Sequence, residues 1–277
     1  MKIVTTTSVF PAGYDVIKAV DRLAHIGYTS LDLAFDYCTT EGNPFLSDDW
    51  EHWAWQLRDH AENRGVAFTH AHAAYDARGR DPAVERTMCC AQILGCRYLV
   101  VHPAWRTPDG RIYEDHTEFL EVNRKLYTPL VEKAKQYSII LLTENLLWGS
   151  SVLPNVISEL VMQLDSPYFG WCYDTGHANC FGIRPSTLMG LPCPPASLHV
   201  QDNHGEQKDE HLLPGDGTVD WEEFLQTLAA IGYAGEFVLE AHHQSLDAPD
   251  AQREKILLEL LNRSKKIVAR LETLRKQ

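Results

Sequence analysis

Eight short apolar runs recur along the chain, and most of the gaps between them are long enough to hold a helix. The runs are IVTTTS (3 to 8), LDLAF (31 to 35), FTHAHA (68 to 73), YLVVHP (98 to 103), IILLTEN (139 to 145), FGWCYDTGH (169 to 177), SLHVQD (197 to 202) and EFVLEA (236 to 241). Short apolar runs of this kind are strand signals. The gaps carry apolar residues at helical spacing, most clearly at 14 to 27 and 220 to 232. In the second of these, Asp220 stands as N-cap with Glu223 three residues on; Phe224, Leu225, Leu228 and Ile231 share a face, and Gly232 is the stop. A last helix is expected from about 249 to 274, with Ile256, Leu257, Leu260, Leu261, Ile267, Val268 and Leu271 at helical spacing.

Alternating strands and helices demand parallel strands joined by right-handed crossovers. Eight such units without a linker or low-complexity break predict a single α/β domain over residues 1–277, closed as a (β/α)8 TIM barrel. An open doubly wound sheet is the alternative, but no GxGxxG follows the first run.

Charge narrows the choice of partner. Asp and Glu number 38 against 25 Lys and Arg, a net charge of -13, and no basic cluster is visible. Such a chain repels a polyanion, so nucleic acid is not the expected partner. No apolar stretch approaches the roughly 20 residues of a membrane span, and the first residues lack a signal-peptide pattern. A cytoplasmic protein without a membrane partner is expected. The seven cysteines (Cys38, Cys89, Cys90, Cys96, Cys172, Cys180, Cys193) form no CxxC pair and read as reduced, mostly buried small hydrophobes.

In a barrel of this kind, residues at the C-terminal ends of strands meet at one mouth. His70 and His72 fall at the end of the third run, His102 at the fourth and Glu144 at the fifth. Asp174 and His177 fall at the sixth, His199 and Asp202 at the seventh, and Glu240, His242 and His243 at the eighth. Any one of these would more often be a hydrogen-bonded core or loop residue than a ligand. The coincidence carries the reading: Glu144, Asp174, His199 and Glu240 end four successive strands, and carboxylates gathered in a mouth need a compensating cation. One divalent metal ion is expected there, and mixed O and N donors do not choose among Mn, Zn, Co or Mg. His177 could be a ligand, a partner to a ligand or a substrate contact. His72, His102 and His211 could hold additional metal, or could equally hydrogen-bond a sugar hydroxyl or a ligating carboxylate. Either His70 or His72 could point inward. His25, His52, His60 and His116 read as surface residues. Trp105, Arg106, Trp148, Phe181 and Arg184 follow the fourth to sixth strands as candidate substrate contacts, although each Trp could equally pack in the core.

The segments TEN (143 to 145), YDTGHAN (173 to 179), LHVQDN (198 to 203), DEHLLPGDGTVDW (209 to 221) and LEAH (239 to 242), in this order, resemble the xylose-isomerase-like barrel superfamily. That group holds sugar and sugar-phosphate isomerases and epimerases such as the ketose 3-epimerases, a keto-inositol dehydratase, and AP endonucleases of the endonuclease IV type. The resemblance implies a metal held by Glu144, Asp174, His199 and Glu240, with Glu144 and Glu240 also the catalytic acid and base. The implied activity is that of a metal-dependent sugar isomerase or epimerase of carbohydrate metabolism, working through an enediolate by proton transfer between the two glutamates. A dehydratase or lyase acting on a keto-sugar or keto-inositol is the alternative on the same scaffold. In the endonucleases, Asp209 and His211 match an Asp-x-His pair that ligates a further zinc, and His72 and His102 match histidines of the same three-metal cluster. The acidic net charge speaks against that reading. His72, His102, Trp105, Arg106, His177, Asp202, Asp209 and His211 are therefore expected to bind substrate or support the ligands. The expected substrate is a small sugar or polyol, unphosphorylated because no Gly-rich cradle follows the last two strands. A homodimer or homotetramer, common among such proteins, is a further implication.

Overall fold

A computed structural model describes residues 1–276, so the expected domain of 1–277 extends by Gln277 outside the described residues. The strands are β1 (Ile3–Thr6), β2 (Ser30–Ala34), β3 (Ala67–Asp76), β4 (Tyr98–His102), β5 (Ile140–Glu144), β6 (Phe169–Asp174), β7 (Ser197–His199) and β8 (Phe237–Leu239). Helices α1 (Val16–Ile26), α2 (Trp50–Asn63), α3 (Ala83–Leu94), α4 (His116–Gln136), α5 (Pro154–Leu164), α6 (Thr175–Cys180), α7 (Trp221–Ala230), α8 (His243–Asp247) and α9 (Asp250–Leu274) complete the chain.

All seven ladders are parallel, in the order β7-β6-β5-β4-β3-β2-β1-β8. The last gap is bridged by Val200 N donating to Val238 O at 2.8 Å and Glu240 N donating to Val200 O at 3.0 Å. The sheet thus curls into the expected eight-stranded barrel, with its strand ends at one mouth.

Local chemistry sets each unit. Asp15 caps α1 by accepting from Ile17 N at 2.9 Å, and Val16, Ala19, Val20 and Leu23 bury one stripe against the sheet. Gly27 ends the helix at φ 109°, a left-handed conformation that a side chain resists. Between strands and helices lies a continuous apolar layer, while the barrel interior holds a smaller cluster of Tyr98, Val100, Leu142 and Cys172. Above that cluster the interior turns polar, at the level where the strands end.

The boundaries differ from expectation in an informative way. The sixth run was expected as strand to 177, yet β6 stops at Asp174, whose side chain accepts from His177 N at 2.6 Å and caps α6. His177 therefore stands on a helix. The seventh and eighth strands are also shorter than expected, so Asp202 and Glu240 lie beyond them. His70 does not end a strand: β3 runs on to Asp76, and His70 faces the interior one layer below His72, its Nε2 3.0 Å from Ser197 Oγ. At α7, Asp220 caps as expected by accepting from Glu223 N at 3.0 Å, but the Glu223 carboxylate turns to Arg184 instead of closing a capping box. All seven cysteines are free, five of them buried.

Candidate metal centre

Three groups of metal-ligand side chains converge at the mouth: Glu144 with Asp174, His199 and Glu240; His72 with His102 and Glu144; and His177 with Asp209 and His211. Within each group the donor atoms lie within 4.8 Å of one another. Strand register builds the first group. Asp174 pairs with His199 across β6 and β7, Glu144 ends the neighbouring β5, and Glu240 follows β8. His199 Nδ1 lies 2.9 Å from Glu144 Oε1 and 3.4 Å from Glu240 Oε2.

Backbone carbonyls orient the histidines of the other two groups. His177 Nδ1 is 2.8 Å from Asn145 O, His211 Nδ1 is 2.8 Å from Glu240 O, and His72 Nδ1 is 3.1 Å from Ala73 O. A carbonyl can only accept, so each Nδ1 carries a hydrogen, and Nε2 is the nitrogen left to bind an ion once its own proton is displaced. Those Nε2 atoms face the clusters: His211 and His177 sit 2.9 and 3.3 Å from Asp209 Oδ2, and His72 sits 3.0 Å from His102 Nε2. Orientation of this kind is what metal-binding imidazoles require.

Within the first group, the buried carboxylate oxygens Glu144 Oε2 and Asp174 Oδ2 have no hydrogen-bond partner. Uncompensated buried oxygens are costly, and a cation resolves them. The donor set therefore fits a divalent ion at Glu144, Asp174, His199 and Glu240, with oxygen and nitrogen ligands of the mixed kind that Zn or Mn accepts.

The protein's own charges already distort proton affinities there. Burial pushes Glu144 up, but His199, His102 and His72 outweigh it and hold its carboxyl well below the usual range. Burial, with Glu144 and Asp174 nearby, drives Glu240 well above its ordinary value. Burial likewise raises Asp174, against the pull of His177. Burial works against protonating His72 and His177, yet Glu144 raises the first to about 9, and Asp174 with Asp209 raises the second to about 10. His102 is lowered, chiefly by burial. Perturbations concentrated in one cavity are a mark of a functional site.

The cavity over these groups has a volume of about 260 Å³, and Trp148, Tyr37 and His242 form part of its wall. Trp148 is stacked on Trp105 at 4.3 Å, and the Arg106 guanidinium lies 4.6 Å from the Trp105 ring, so Trp105 and Arg106 stand behind the wall. Arg184 pairs with Glu223 at 2.9 Å, away from the cavity, and Phe181 is exposed. Asp202 also lies outside the wall. Its carboxylate accepts from Asn203 N, Gly215 N, Val219 N and Trp221 Nε1 at 2.8 to 3.1 Å, which shapes the loop that delivers Asp209 and His211. Gln201 and Asn145 escaped the sequence reading. Gln201 sits two residues after His199 and so on the same side of an extended chain, a signal that period-two reasoning offers.

Comparison with known proteins agrees with the barrel fold. The family described as xylose isomerase-like TIM barrel matches residues 20–267. An uncharacterized protein of Methanocaldococcus jannaschii is 32% identical over 154 residues, 53% of this chain and 51% of that protein. A second, from Sinorhizobium fredii, is 38% identical over 79 residues, 27% of this chain and 24% of that protein. The chain thus matches about half, or less, of the length of these curated relatives. Among solved structures, the IOLI protein with a bound zinc atom superposes with a TM-score of 0.76 at 17% identity, covering 98% of each chain. A D-tagatose 3-epimerase-like protein gives 0.69 at 24% identity, covering 97% of this chain and all of the other. At such identities the likeness is one of fold. Among the described residues no helix is long and apolar enough to cross a membrane. With the family pattern matched over most of its length, the chain belongs to the xylose isomerase-like TIM barrel family.

Proposed function

We propose that the mouth binds a divalent ion through Glu144, Asp174, His199 and Glu240 and moves a proton on a small sugar or polyol, as a metal-dependent isomerase or epimerase. One observation carries this reading: four buried or half-buried side chains from four successive strand ends bring their donor atoms within 4.8 Å of one another. When bound, such an ion supplies positive charge against the negative charge that builds on sugar oxygens as a carbon-bound proton leaves. Glu144, at the end of β5, and Glu240, just after β8, both line the cavity and are the carboxyls assigned here as base and acid. Trp148 offers a flat apolar face to carbon-bound hydrogens of the sugar, with Trp105 and Arg106 fixing it from behind. Asp36, Glu144, Asp209 and Glu240 line the cavity and no lysine or arginine does, which favours an uncharged ligand over a phosphate ester.

The test is proton exchange. Metal-loaded protein is incubated in D2O with a panel of ketoses and keto-inositols, and deuterium at the carbon beside the carbonyl is read by NMR. The expected outcome is exchange with at least one of them, abolished by chelator and reduced roughly 100- to 10,000-fold in Glu144→Gln and Glu240→Gln. Wild-type rates in either folded variant would refute the acid-base roles. A second reading rests on the two flanking groups, His72–His102–Glu144 and His177–Asp209–His211. Two or three ions per chain, with cleavage of a phosphodiester such as an abasic-site duplex and no exchange into ketoses, would establish polynuclear phosphoester chemistry instead.

A further inference from the structure

Gln201 is fully buried between the central donor group and the group on the loop after β7. Its Nε2 donates to Asp209 Oδ1 at 2.6 Å and lies 3.4 Å from Asp174 Oδ1. Asp174 Oδ1 also accepts from His177 N at 2.6 Å, which leaves Asp174 Oδ2 without a partner. On Asp209 the division is the same: Oδ1 takes the amide, and Oδ2 faces His211 Nε2 at 2.9 Å and His177 Nε2 at 3.3 Å. The amide cannot be turned round, because its carbonyl would then meet two carboxylates.

The backbone is built to hold this side chain in place. Thr175 Oγ1 donates to Gln201 O at 2.7 Å and accepts from Gln201 N at 3.1 Å. Gly176 leaves the room the amide occupies: a Cβ there would stand 2.1 Å from Gln201 Cδ and Oε1. Gln201 Oε1 itself has no partner, so the amide's place is set by its donor end.

We propose that Gln201 is a positioning residue, which by bridging the Oδ1 atoms of Asp174 and Asp209 presents the Oδ2 atom of each to a cation and ties the two donor groups into one unit. The inference rests on the metal reading given above. Partners that orient ligands in this way typically govern metal affinity by 10- to 100-fold. Gln201→Met keeps the length and volume of the side chain and removes its donors, together with a carbonyl oxygen that has no partner.

The experiment is a titration of the full chain with Co2+, followed by the visible absorption of the bound ion, for wild type and Gln201→Met. We expect the variant to remain folded by circular dichroism, to bind Co2+ 10- to 100-fold more weakly and to show an altered spectrum. Wild-type affinity and spectrum in folded Gln201→Met would overturn the inference and leave the metal reading standing. A wild-type chain that takes up no Co2+ would overturn the metal reading itself, and this inference with it. Should Gln201→Met fail to fold, a crystal structure of the Co2+-loaded wild type decides: cobalt on the Oδ2 atoms with the amide still on both Oδ1 atoms supports the inference, and cobalt on either Oδ1 refutes it.

Discussion

Glu144 faces two ways. Its Oε1 lies 2.9 Å from His199 Nδ1, and its Oε2 lies 3.3 Å from His102 Nε2 and 3.8 Å from His72 Nε2. One carboxylate thus belongs to two donor groups, and strand-end position alone reveals only its membership of the first. His70 shows the complementary limit. It shares its face of β3 with His72, so period-two reasoning places both inside, but depth within the barrel decides their roles. His72 reaches the cavity, whereas His70 Nδ1 lies 3.2 Å from Glu236 Oε2, below it. Burial raises the proton affinity of Glu236, but His70 and Thr69 more than reverse this, and the folded carboxyl sits below its ordinary value. A carboxylate held down in the folded state adds stability above its unfolded pKa and loses it as the pH falls through the folded value. Glu236→Gln is therefore expected to cost about 1 kcal/mol at pH 7. That deficit should shrink as the pH falls below about 4. Urea denaturation at the two pH values checks this, and a deficit that stays constant or grows in acid would contradict it.

At the scale of elements, the strands and the long terminal helices were legible because each carries its own periodicity. The connections were not. The expected strand through 177 failed at Asp174, where an N-cap side chain converts the next residues to helix and swings His177 toward Asp209. Asp209 was reached only through a motif resemblance, since it stands with His211 on a loop whose path depends on the four donors gathered by Asp202. The aromatic wall is set by a similar contact between loops. Thr107 N donates to Arg111 O and Tyr113 N to Trp105 O, closing a small hairpin after β4, and Ser150 N ties it to the loop after β5 by donating to Tyr113 O at 2.8 Å. Gly149 permits that approach: its φ is +53°, and a Cβ there would fall 2.3 Å from Tyr113 O. Gly149→Ala should cost about 1–3 kcal/mol from the backbone conformation alone. It should also part Trp148 from Trp105. A stability loss in denaturant together with a shifted tryptophan emission is the expected result; an unchanged midpoint and spectrum would show that the loops do not depend on this contact.

For the whole molecule, eight parallel strands closed through Val200 and Val238 bring side chains from positions 6 to 242 of the sequence around one cavity of about 260 Å³. That convergence follows from topology, which is why four donors could be named from strand order. How many ions they serve could not be, because His72 and His102 at the ends of their runs read equally as ligands or as hydrogen-bond partners, and the third group draws on α6 and the loop after β7, whose path spacing does not show. The most direct test of the account is anomalous diffraction from a crystal grown with saturating Zn2+, recorded at the zinc edge. The account predicts a peak bonded to Glu144, Asp174, His199 and Glu240 at about 2.0–2.2 Å. A map with no peak among those four side chains would contradict it.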